Sequence, residues 1–130
     1  MASDASRGVL DEPVSDVISR VRFDSAGLVP AIVQQWDSGE VLMVAWMDEA
    51  ALRATLTDQR GTYFSRSRGR QWVKGETSGN TQRVLGVYLD YDADAILVQV
   101  DQHGPACHTG EHSCFDVEGH QSGTAGTDGR

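Results

Sequence analysis

The residues best equipped for chemistry crowd into one short stretch, Cys107-His108-Thr109-Gly110-Glu111-His112-Ser113-Cys114. It holds both cysteines of the chain and, with His103 just upstream, three of its four histidines. Thiolate and imidazole are the usual ligands of zinc, and two cysteines can close on one ion if the loop between them is tight. A zinc ion with one open position lowers the pKa of a bound water to ~7 and so supplies a hydroxide nucleophile. The plainer alternative is a pair of inert buried cysteines beside surface histidines; the crowding of histidines favours the metal. A second group is Asp90-Tyr91-Asp92-Ala93-Asp94. On an extended chain, alternation places its three carboxylates on one side, where oxygen ligands suit a hard cation such as Mg²⁺. Taken alone, the same residues read more readily as a solvated turn between two strands. A third group is Ser65-Arg66-Ser67-Arg68, followed by Trp72, Lys74 and Gly75-Glu76-Thr77-Ser78-Gly79. Guanidinium forks bind phosphate oxygens in pairs, and a glycine-rich turn offers backbone N–H groups to the same oxygens. An ordinary polar strand edge with a tight turn would look similar. Together the three groups describe a metal-activated water, a second hard cation and an anion cradle, a combination suited to hydrolysis of a phosphorylated substrate.

The elements that must carry these residues follow from periodicity. Val14, Val17, Ile18 and Val21 keep the spacing of one helix face, which predicts a helix over residues 13–22. Asp11, Glu12 and Pro13 suit its first turn. Residues 28–36 and 40–46 are rich in Val, Ile, Leu and Trp and flank Asp37-Ser38-Gly39, which predicts a hairpin. Asp48 is placed to cap a helix over residues 49–58, with Leu52 and Leu56 on one face, Glu49 and Arg53 paired, and Gly61 just past its end. Strands are predicted over residues 62–66, 70–73, 83–91 and 95–101, with turns at Gly69, 75–80 and 92–94. The fold class is α+β: a mostly antiparallel sheet with a few short helices. Residues 1–10 read as a flexible start, 11–118 as a single domain, and 119–130, rich in Gly, Ser and Thr, as a disordered tail.

Composition narrows the partners. A chain of 130 residues suits one domain with a modest core. Its 19 acidic and 11 basic residues leave a net charge of -8, which repels nucleic acid and anionic membranes. A small anionic substrate is still compatible, because local arginines can outweigh a distant net charge. Residues 1–10 lack the apolar core of a signal peptide, and the longest apolar run, 41–47, falls far short of the ~18 residues that span a bilayer. A cytoplasmic protein is expected, and there a close cysteine pair is more often metal-binding or catalytic than a disulfide.

The motifs also carry a family resemblance. Val41-Leu42-Met43-Val44-Ala45-Trp46-Met47, Tyr63-Phe64-Ser65-Arg66-Ser67-Arg68, Trp72-Val73-Lys74-Gly75-Glu76-Thr77-Ser78-Gly79, Ala106-Cys107-His108-Thr109-Gly110 and Ser113-Cys114-Phe115 resemble, in this order and spacing, the phosphoribosyl-AMP cyclohydrolases of histidine biosynthesis. The resemblance spans residues 23–115. It implies attack of water on C6 of an N1-phosphoribosylated adenine and opening of the N1–C6 bond. It implies zinc on Cys107 and Cys114, magnesium at Asp90, Asp92 and Asp94, and proton transfer by His108. It further implies an intertwined homodimer with active sites at the interface. Substrate contacts would come from Arg66, Arg68, Trp72, Lys74, Glu76, Thr77 and Ser78. One position departs: the family's third zinc ligand is a cysteine between two aspartates, and here it is Tyr91. An unperturbed phenol ionises only near pH ~10. Another ligand (His103, His112 or Asp92) could complete the site, the metal could bind Tyr91 as phenolate, or the chain could be a diverged or inactive paralogue acting on another purine nucleotide or serving as a zinc-stabilised module. The intact remainder of the motifs favours retained chemistry with an altered third ligand.

Overall fold

A computed structural model of the chain describes residues 6–75 and 81–102. Its elements are α1 (Val14–Arg20), β1 (Leu28–Gln35), β2 (Val41–Asp48), α2 (Glu49–Asp58), β3 (Thr62–Ser65), β4 (Arg70–Val73), β5 (Gln82–Leu89) and β6 (Ile96–Gln102). The strands form one sheet in the order β4-β3-β2-β1-β6-β5. Every neighbouring pair is antiparallel except β1 and β6, which run parallel. The α+β class is therefore as expected, with the sheet mixed rather than purely antiparallel.

Local rules explain most elements. The 37–39 turn joins β1 to β2, and Ile32 lies opposite Val44. Asp48 caps α2 as predicted, its Oδ1 accepting from the Ala51 N–H at 2.8 Å. The end of α2 differs from expectation: Gln59, not Gly61, takes the left-handed conformation, at φ 57°. Gly61 is needed for space instead. A Cβ there would stand 2.5 Å from Gln82 Oε1 and 2.7 Å from the Tyr63 hydroxyl.

Alternation sorts the strands into two faces. Val29, Ala31 and Val33 of β1, Val84 and Val87 of β5, and Ile96, Val98 and Val100 of β6 are buried with Val17 of α1 and Leu52 of α2. On the opposite phase Ile32 and Val44 remain exposed. The sheet also curls. Arg60 bridges to Arg83, the Gly61 N–H donates to Gln82 O, and the Val84 N–H donates to Gln59 O, so the start of β3 meets the start of β5.

The described part of the N-terminal segment is not a loose start. Val9 and Leu10 are buried in the core within a 3₁₀ turn, Val9–Asp11. Gly8 bridges in parallel to Val87, the Val87 N–H donates to Arg7 O, and the Tyr88 hydroxyl donates to Ser6 O at 2.6 Å. Two apolar residues carry no periodicity, so nothing in the sequence marked them as core.

Candidate functional site

The acidic group does not sit on an extended strand. β5 ends at Leu89, and the chain folds back with Ala93 at φ 60°. The Ala93 N–H donates to Asp90 O at 3.0 Å and the Asp90 N–H to Ala95 O at 3.1 Å. Asp90 Oδ1 accepts from the Asp94 N–H at 2.9 Å. The turn expected between two strands is therefore present, and the extended alternation that would have lined up the three carboxylates is not.

The turn brings carboxylates together all the same. Asp94 is raised above its ordinary pKa, first by a side-chain hydrogen bond with Asp90, then by the charge of Asp90, partial desolvation and the charge of Asp92. For Asp90, desolvation pushes upward, but hydrogen bonds from Asp94, Ala95 and Ala93 outweigh it and hold the carboxyl below its ordinary value. A divalent cation would relieve this crowding, and the oxygen donors suit Mg²⁺. In ligand number the fit is incomplete: among the described residues no group of three or more His, Cys, Asp or Glu is arranged to hold a metal ion. Tyr91 projects fully into solvent from the same turn.

Beside the turn lies an open cleft lined by Glu12, Arg20, Arg22, Tyr88, Asp90 and Asp92 among others. Arg20 is engaged by Glu12 at 2.9 Å, and the Arg22 N–H donates to Ala93 O at 2.7 Å. Sequence reasoning missed both arginines, and no local signal distinguishes them from ordinary surface cations.

The expected anion cradle is divided. Arg66 and Arg68 lie in the turn from β3 to β4, where the Arg68 N–H donates to Ser65 Oγ at 3.3 Å and Gly69 adopts φ 66°. The Arg66 guanidinium stacks over the Trp46 ring at 4.5 Å from its centroid, a cation–π contact that orients it. Trp72 packs against Tyr63 with ring centroids 5.1 Å apart and joins the edge of the core. Lys74, past the other end of β4, is buried, and its N–H donates to Gly61 O at 2.9 Å. Glu76, Thr77, Ser78, Cys107, His108 and Cys114 lie outside the described residues, as do His103 and His112.

One juxtaposition emerges that the motifs did not announce. Gly61 links Lys74 to Gln82 through two backbone hydrogen bonds, and Gln82 Nε2 donates to Gln102 Oε1 at 2.8 Å. The stretch holding Glu76, Thr77 and Ser78 runs between Lys74 and Gln82, and the stretch holding Cys107 follows Gln102. Both therefore depart from a common base. Their roots, Gln82 and Gln102, are polar residues on the buried phase of their strands, a break in alternation that could have flagged them.

Comparison with known proteins defines the class. A family model described as phosphoribosyl-AMP cyclohydrolase matches residues 43–116. A protein of Thermobifida fusca named phosphoribosyl-AMP cyclohydrolase is 62% identical over 79% of this chain and 89% of its own length. Proteins of the same name from Streptomyces avermitilis and Corynebacterium diphtheriae are 59% and 54% identical, over 80% and 84% of this chain and 78% and 97% of their own lengths. The class they share is that of hydrolases that open a ring with water. The chain belongs to the phosphoribosyl-AMP cyclohydrolase family.

Proposed function

We propose that this chain hydrolyses phosphoribosyl-AMP, adding water at C6 of the adenine ring and breaking the N1–C6 bond, as a step of histidine biosynthesis. The observation that carries this reading is the family match over residues 43–116, a range that includes Lys74, the acidic turn and Cys114. N1 substitution gives the ring cationic character, so C6 accepts a nucleophile. His108 takes a proton from the attacking water and returns one to N1 as the ring opens. Cys107 and Cys114 would hold zinc, with Tyr91 at the position of a third ligand. When bound, zinc supplies a water acidic enough to attack near neutral pH. Asp90, Asp92 and Asp94 would contribute oxygen ligands to magnesium, with further ligands needed to complete the site, and the pairing of Asp90 with Asp94 supports a locally negative surface. Arg66 and Arg68 take substrate phosphate. Lys74 and Trp72, both packed at the root of the 76–80 stretch, support the contacts made by Glu76, Thr77 and Ser78.

The reading includes a homodimer with shared sites. The exposed Ile32 and Val44 leave an apolar stripe on the open face of the sheet, and Val44 is 53% exposed. Chain reach supports sharing as well. Cys107 follows Gln102 by five residues, ~17 Å when fully extended, whereas β5, with 8 residues, spans ~23 Å between Gln82 and the acidic turn. The reach of five residues is thus shorter than the strand that separates Gln82 from the turn, which supports a site shared between two chains. The charge balance gives no reason to expect nucleic acid as a partner, and no helix among the described residues is long and apolar enough to cross a membrane. A cytoplasmic location follows from the biosynthetic role.

The test is turnover of phosphoribosyl-AMP by the purified protein, with and without a strong chelator, together with Cys107→Ala and Tyr91→Cys. Turnover should be abolished by the chelator and by Cys107→Ala. Undiminished turnover in either case would overturn the metal mechanism. A large rise in zinc content and rate in Tyr91→Cys would identify Tyr91 as a weak third ligand. No change would mean that another residue already completes the site.

A further inference from the structure

Two glutamines occupy positions where strand alternation calls for apolar side chains. Gln82 opens β5 and Gln102 closes β6. They are cross-strand partners, and both are buried, Gln82 completely. A buried amide is tolerated only when its donors and acceptors are met, and here they are met in a chain with a direction. Burial pushes the Tyr63 phenol well above its ordinary pKa, so the hydroxyl keeps its proton and donates it to Gln82 Oε1 at 2.6 Å. With Oε1 committed as acceptor, the orientation of the Gln82 amide is set. Its Nε2 donates to Gln102 Oε1 at 2.8 Å and approaches Met43 Sδ at 3.5 Å. The Gln102 N–H, in turn, donates to Gln35 Oε1 at 3.1 Å. The last residue of β6 is thereby held through side chain and backbone at once, by groups from β5 and β1, with β3 supplying the polarity. Apolar side chains could fill the same volume without dictating any orientation.

We propose that Gln82 is a positioning residue for the hydrolytic reaction: together with Tyr63 it fixes Gln102, the last residue of β6, from which the sequence runs on to Cys107 and His108. This rests on the assignment of those two residues to the site. The same amide stands at the start of β5, so one oriented group ties the first residue of β5 to the last residue of β6. Its effect is on geometry, and a small displacement of reacting groups costs rate far more than it costs affinity.

The experiment compares wild type, Tyr63→Phe, Gln82→Met and the double variant. Four quantities are measured: thermal midpoint, kcat and KM for phosphoribosyl-AMP, zinc affinity by competition with a chromophoric chelator, and amide hydrogen exchange in the metal-free protein. Gln82→Met removes both bonds. Adding Tyr63→Phe removes the stranded hydroxyl, so the double variant should regain much of the lost thermal midpoint. Its kcat or zinc affinity should nevertheless stay about tenfold or more below wild type, as for lost supports of metal ligands, with KM little changed. Exchange from Gln102 to Cys107 should quicken in both Gln82 variants, while exchange at residues 90–94 stays the same. If kcat and zinc affinity recover together with the thermal midpoint, or if exchange changes evenly along the chain, Gln82 is merely structural and the proposal fails. A wild type without zinc or turnover would overturn the site assignment instead. The exchange pattern would still report whether the clamp exists.

Discussion

The two ends of the β5–β6 hairpin solve opposite problems with polar groups. At one end Gln82 and Gln102 are buried, neutral and bonded in a fixed direction. At the other, Asp90, Asp92 and Asp94 are exposed, charged and crowded around a turn in which Ala93 sits at a positive φ. A neutral amide can be buried because its hydrogen bonds replace those of water. A cluster of like charges cannot, so it stays at the surface, where solvent or a cation moderates the repulsion. One end is built to hold a shape and the other to attract a charge.

The contrast can be broken most severely at the buried end. Gln82→Ala takes away the acceptor of the Tyr63 hydroxyl and the donor to Gln102 Oε1. At ~1–3 kcal/mol for each stranded buried group, urea denaturation should show a loss of about 2–5 kcal/mol. A loss below about 0.5 kcal/mol, the range of ordinary surface changes, would erase the distinction between the ends.

Gly8→Ala should come next. Gly8 borders the cleft at the acidic end with φ 63°, and a Cβ there would collide with Val87 O and the Tyr88 ring. The strain predicts a loss of about 1–3 kcal/mol, read as a lower thermal midpoint. An unchanged midpoint would show that the 6–11 segment is held only loosely against β5.

Asp94→Asn sharpens the comparison from the exposed side. It relieves repulsion within the turn at an exposed position, so the thermal midpoint should change little. Magnesium affinity, measured by calorimetric titration, should fall. Equal magnesium affinity in the variant would remove Asp94 from the cation site.

The smallest effect is that of pH. The raised pKa of Asp94 means that its ionised form is disfavoured in the folded chain, and that penalty lifts as pH falls through the raised value. Asp90 is held low, so its contribution is present above the ordinary carboxylate pKa and is lost only as pH falls through the lowered one. Magnesium binding should therefore begin to weaken at a pH above the ordinary aspartate value of ~3.9, while the fold persists to lower pH. Parallel loss of both in an acid titration would contradict the division of labour between Asp90 and Asp94.

What the sequence revealed divides along the range of the interactions involved. The Asp48 cap and the 37–39 hairpin depend on neighbours and were legible. The parallel pairing of β1 with β6, and the curl that brings Gly61 to Gln82, depend on partners far apart in sequence, which periodicity does not specify. The motif residues were legible by type, but their grouping was not. Arg66 and Lys74 look contiguous along the chain, yet Arg66 leans on Trp46 while Lys74 is buried past the other end of β4. The turn at 92–94 was legible from its composition, but it begins earlier than expected, with β5 ending at Leu89, and nothing in the sequence marks Ala93 as a residue at positive φ.

The N-terminal strap has a consequence for how the protein must be handled. By lying along β5, residues 6–11 occupy hydrogen-bonding groups that an outermost strand would otherwise offer to any passing extended chain. Trimming the chain past Leu10, or fusing a rigid partner at that point, would uncover them and remove two apolar plugs from the core. The product would be a sheet with an adhesive border, prone to recruit further copies into open-ended aggregates.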